Sequence, residues 1–92
     1  MYLAPIKKKR LEEKYSIYVD TYWYDIKLES FIFYIHNYEV LHKSGESRFD
    51  VTTYPVNNLT IKKHREWTSI FNIIDRGRLK LISPAEAFSI LL

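Results

Sequence analysis

The spacing of apolar and polar residues changes along this chain, and each change marks an expected element. From Tyr15 to Tyr24 (YSIYVDTYWY) β-branched and aromatic residues crowd together, which predicts a strand. In that strand Tyr15, Ile17, Val19 and Trp23 share the core face, while Ser16, Tyr18, Asp20, Tyr22 and Tyr24 share the other. Residues 24–30 read as a connection. Phe31 to Ile35 (FIFYI) is apolar at every position, the pattern of a central strand buried on both sides. Val40 to Lys43 and Arg48 to Thr53 predict an antiparallel hairpin turning through Ser44-Gly45-Glu46-Ser47. Phe49, Val51 and Thr53 face one way along its second strand, and Asp50 and Thr52 the other. Pro55 ends that strand.

Beyond Asn58 the period lengthens. Trp67, Ile70, Phe71 and Ile74 lie at spacings of three, four and seven, which predicts a helix over Thr60–Arg76 with Gly77 as its C-terminal cap. Lys62, Arg65, Ser69, Asn72 and Arg76 fall on its opposite, wet and basic face. Arg78 to Ile82 (RLKLI) reads as a short strand. Ser83-Pro84-Ala85-Glu86 is a helix start: serine at the cap, proline at the first position, and glutamate placed to bond back to the cap. The helix it opens is expected to bury Phe88, Leu91 and Leu92. The expected order is β-β-β-β-α-β-α. The expected class is α+β, a small antiparallel sheet of four to five strands covered by two helices.

Residues 1–14 are expected to form a basic N-terminal arm ahead of a single domain over 15–92. Pro5 argues against a helix beginning before it. Lys8 to Lys14 reads either as a helical turn or two or as a loose arm, with the KKKR run at Lys7 to Arg10 open to phosphate or to solvent.

Gly77 to Leu92 (GRLKLISPAEAFSILL) resembles the strand-plus-helix segment in N-terminal domains of tRNA-splicing endonuclease subunits. The resemblance covers about one sixth of the chain and rests on strand, cap, proline and apolar helix. The catalytic part of that family has no counterpart here, so the resemblance implies no activity.

Composition narrows the class. At 92 residues the chain makes one domain, and 47% hydrophobic residues with two Gly and three Pro argue against extended disorder. No apolar run approaches the roughly 20 residues of a membrane span. The basic run at Lys7 to Arg10 is followed by Leu11, Glu12 and Glu13 where a signal peptide would need its apolar core, so none is expected. Without cysteine there is no disulfide, thiolate nucleophile or thiolate-bound metal, in keeping with an intracellular protein. The wealth of Tyr, Phe, Ile, Lys and Asn suggests an AT-rich genome. A small chain of that kind points to a viral or mobile-element source, and so to the host cytoplasm.

Candidate chemistry is sparse. His36, His42 and His64 show no metal-binding spacing. On one strand His36 and His42 would stand about 20 Å apart. With only Gly45 and Gly77, no phosphate loop of the glycine-rich kind exists. No cofactor or metal is expected, and a histidine-dependent ribonuclease ranks third among the readings. The first reading is a non-enzymatic interaction protein whose partner surface is Tyr18, Asp20, Tyr22 and Tyr24, since tyrosine offers area and a hydroxyl at low entropic cost. The second is a nucleic-acid-binding regulator using Lys62, Lys63, Arg65, Arg76, Arg78 and Lys80. The net charge of +3 supports it: residues 1–46 carry seven basic and seven acidic groups, residues 47–92 seven against four. Homodimerisation would suit either.

Overall fold

The computed structural model describes residues 5–41, 46–56, 62–69 and 77–92. The first element is a helix, α1 (Pro5–Tyr15). Proline suits a helix start because its missing N–H would have no partner there. Lys8 and Glu12, one turn apart, pair at 3.6 Å. A single 3-10 turn (Ser16–Tyr18) follows, closed by the Val19 N–H on the Ser16 carbonyl. Asp20 then adopts φ 64°, and its N–H bonds to the Ile35 carbonyl. Aspartate tolerates this left-handed region better than most residues. The reversal there starts the first strand, β1 (Thr21–Asp25).

The remaining described elements are β2 (Phe31–Val40), β3 (Ser47–Pro55), β4 (His64–Thr68), β5 (Leu79–Ile82) and α2 (Pro84–Leu91). The strands form one antiparallel sheet in the order β4-β3-β2-β1-β5. The class is α+β.

The pairings settle which side chains share a face. Trp23 lies opposite Phe33 and Leu81, and Ile35 opposite Val51. This face carries one buried cluster, Tyr15, Trp23, Ile35, Phe49, Val51 and Leu79, with Leu11 and Tyr18 packed on it. It is the α1 face. Tyr15 meets Phe49 edge-on at 6.0 Å, and Tyr18 meets Trp23 edge-on at 5.3 Å, geometries that place a ring's positive edge on a negative face. The other face carries Ile32, Val56, Ile82 and Ala87, with Tyr22, Tyr24, Tyr54, Ile90 and Leu91 against them. This is the α2 face. Ile32 and Ile35, on opposite faces of β2, are both fully buried, as a central strand requires.

Several expectations need correction. Residues 16–18 are a 3-10 turn, not strand, so the expected alternation fails there and Ile17 is exposed. The five residues His64–Thr68 are strand, not helix. Their pairing with β3 satisfies backbone groups that β3 would otherwise leave open, and this outweighs a helical spacing that begins only at Trp67. The rest of the expected helix, at 60–61 and 70–76, lies outside the described residues. The described order is therefore α-β-β-β-β-β-α in place of β-β-β-β-α-β-α. On α2, Ala87 is the buried residue; Phe88 and Leu92 are exposed. The strand at 79–82 and the capped last helix match expectation, and Arg48 to Thr53 is strand as expected. Its partner, however, is a single strand Phe31–Val40 that joins the expected strand at 31–35 to Val40, while Leu41 lies outside it and residues 42–43 lie outside the described residues. Ser83 accepts from the Glu86 N–H at 3.1 Å, and Glu86 accepts from the Ser83 N–H at 3.4 Å. The turn at Ser44-Gly45 lies outside the described residues.

Candidate functional site: an aromatic and cationic cleft on the α2 face

α2 covers only part of its face. It lies over the β1 and β5 side, against Tyr22, Tyr24 and Ile82. Toward β3 and β4 the face carries Tyr34, His36, Asp50, Thr52, Tyr54, Arg65 and Trp67 on one parity. Here a cleft of about 310 Å³ opens, lined by His36, Thr52, Tyr54, Lys63, His64 and Arg65.

A β-bulge sets its floor. The β2–β3 register slips between Ile35 and Asn37, so His36 is the extra residue. A bulge redirects a side chain that regular pleating would aim elsewhere. The His36 ring turns its edge to Tyr34 at 4.5 Å, and its Nε2 shares a hydrogen bond with the Thr52 hydroxyl. Tyr34 stacks on Tyr22 at 4.7 Å and donates its hydroxyl to Asp20. That bond, with burial and the Asp20 charge adding to it, pushes the Tyr34 phenol up to about 12.

β4 and the residue before it supply the cations. Lys63, Arg65 and Trp67 alternate onto the cleft side. Arg65 donates Nε and Nη2 to the two carboxylate oxygens of Asp50, at 2.9 and 2.6 Å. This bond holds Asp50 below the usual carboxylate range and raises Arg65 further. The Lys63 ammonium lies 5.8 Å from the Tyr54 ring centre, with no carboxylate paired to it among the described residues. At the far end Arg48 donates to Glu39 at 3.0 Å and covers the Trp67 ring at 4.8 Å. His64 reaches the rim, but its Nε2 lies 3.4 Å from Glu66 on the other parity of β4.

The expected site residues are scattered. Tyr18 packs on the α1-face core, away from Tyr22 and Tyr24. Tyr22 lies partly beneath Phe88 at 6.1 Å, Tyr24 beside it in the same cluster, and Asp20 on the turn bonded to Tyr34. Of the basic residues, Lys62, Lys63 and Arg65 lie at or beside β4, and Lys80 on β5, at the opposite edge of the sheet, four strand spacings or roughly 19 Å away. Arg78 is held by Asp25, donating Nε at 3.3 Å and Nη2 at 2.9 Å. Arg76 and His42 lie outside the described residues. The alternation of Lys63, Arg65 and Trp67 was the available signal for the cleft wall; the helical period masked it.

Among the described residues no group of three or more His, Asp or Glu could hold a metal ion. No described helix is long and apolar enough to cross a membrane. No protein-family model matches the chain, and neither do curated proteins nor solved structures.

Proposed function

We propose that this chain is a non-enzymatic interaction protein that engages a protein partner through the open, β3–β4 half of its α2 face. The observation that carries the reading is the exposed Trp67, capped by Arg48 and followed across the sheet by Tyr54 and Tyr34. Tryptophan, tyrosine and arginine dominate the energetic centres of protein interfaces. Arg48 pairs with Glu39 and Arg65 with Asp50, so although one anionic group could still reach Lys63 and the outer edge of Arg65, this surface carries too little net charge to follow the successive phosphates of a nucleic-acid backbone. That favours a protein over a nucleic acid, as does the separation of Lys80 from Lys62 and Lys63.

Photocrosslinking tests it. A photoreactive residue at Trp67 should yield a discrete protein adduct in source cells, whereas one at Ser89, exposed on α2, should not. Trp67→Ala should abolish partner capture without loss of folding. Adduct to nucleic acid instead, weakened steeply by salt, would replace this reading with the regulator.

A further inference from the structure

The cleft beside this surface has a composition that a flat protein contact does not need. Lys63 brings an ammonium with no carboxylate beside it among the described residues. Arg65 commits Nε and Nη2 to Asp50, so among the described residues both N–H groups of Nη1 are left to donate. Asp50, mostly buried, fixes that guanidinium in one orientation, so little entropy is lost when an anion arrives. The same cleft is lined by two flat groups, the Tyr54 ring and the His36 imidazole, and by Thr52, whose hydroxyl shares a hydrogen bond with His36 Nε2. The volume, about 310 Å³, is at the lower end of small-molecule sites.

We infer that the cleft binds a phosphate monoester carried on a flat aromatic body, a ligand of mononucleotide size. Its phosphate is held by Lys63 Nζ and Arg65 Nη1, and its ring lies over Tyr54 and His36. A bare anion would leave the aromatic floor unused. A neutral ring would leave the Lys63 ammonium without a counter-charge.

The test is a titration of the ¹⁵N-labelled chain with AMP, adenosine, inorganic phosphate and single-stranded oligonucleotides of increasing length, at low and moderate salt. AMP should shift the amide resonances of His36, Thr52, Tyr54 and Arg65, with adenosine and inorganic phosphate each bound about tenfold more weakly or worse. Lys63→Ala should cost about tenfold and Lys63→Arg should restore most of it, while Lys80→Ala, equal in charge lost but on the opposite edge, should change nothing. Lys63 and Lys80 are both exposed, so these variants should keep the fold, which the dispersion of the same spectra reports. Phosphate binding as tightly as AMP would overturn the aromatic half of the inference. Affinity that climbs with strand length would overturn the small-molecule class, and no shift with AMP would overturn the site. None of these outcomes bears on partner capture through Trp67, which is read separately.

Discussion

Two arginine–carboxylate forks stand at opposite sides of the sheet, Arg78–Asp25 at the β1–β5 side and Arg65–Asp50 at the β3–β4 side. In both, Nε and Nη2 meet the two carboxylate oxygens. Their surroundings differ. The Asp25 side chain is 3% exposed and that of Arg78 33%; the Asp50 side chain is 10% exposed and that of Arg65 60%. Asp25 also accepts the Lys27 and Leu28 N–H groups at 3.0 Å each, so it organises the turn after β1 as well as the arginine before β5. Asp50 does less, orienting a single guanidinium at a cleft. The same pairing thus serves as a fold clamp where it is desolvated, and as a positioning device where one partner faces water.

That contrast can be broken at either end. Asp25→Ala strands a largely buried arginine and two backbone donors, and should cost about 3–5 kcal/mol in chemical denaturation. A cost comparable with that of a surface substitution would show that the clamp is not one. Acid should act through the same group. Burial opposes ionisation of Asp25, but the Arg78 side chain and the Leu28 and Lys27 N–H groups outweigh it and hold its carboxyl below the usual range. Its stabilisation is therefore complete above the unfolded-state value of about 3.9 and is lost as pH falls through the lower folded value. Unfolding free energy should drop below roughly pH 4, and Asp25→Asn should flatten part of that limb; Asp50, also held below the usual range by Arg65, should supply another part, so Asp50→Asn should flatten it too.

The exposed fork should show the opposite balance. Arg65→Ala removes an arginine that faces water but leaves the mostly buried Asp50 carboxylate without its partner, so it should lower the denaturation midpoint less than Asp25→Ala does while weakening AMP about tenfold, measured by the same titration. A large loss of stability with intact binding would reverse the assignment of the two forks. The smallest effect is spectroscopic. Tyr34 is protonated up to about 12 because its proton is held by Asp20. That bond stabilises the fold fully below the unfolded tyrosine value of about 10 and is lost as pH rises through about 12. An alkaline absorbance titration should find Tyr34 late, beside Tyr38, which burial also raises, and Asp20→Asn should bring the Tyr34 component down while leaving that of Tyr38 in place.

Features of the fold that depend on near neighbours were legible in the sequence. Ser83-Pro84-Ala85-Glu86 carries its whole cap within four residues, and FIFYI announces a strand buried on both sides. β4 was not legible, because what makes His64–Thr68 a strand is the open edge of β3 beside it, not its own spacing. The tyrosine face over 18–24 failed for a local reason of another kind: the positive φ at Asp20 resets the chain between Tyr18 and Tyr22. The cleft was hidden more deeply. His36 reaches Thr52 only through a register slip between strands, and a bulge has no signature in the residues FIFYIHNYEV.

The strand order has a kinetic consequence. β2 and β3 pair across a short reversal, but β1 and β5 pair across more than fifty residues, with Arg78 and Asp25 53 apart. Closing the longer span costs more chain entropy, so the hairpin should assemble first and β5 with α2 should dock late. Until then β1 keeps an unpaired outer edge and Tyr22, Tyr24 and Ile32 face water without Ala87 and Ile90 over them. The folding intermediate most exposed to misassembly is therefore one in which the segment from Leu79 onward has not yet docked, and docking that segment faster is the route to a chain that aggregates less.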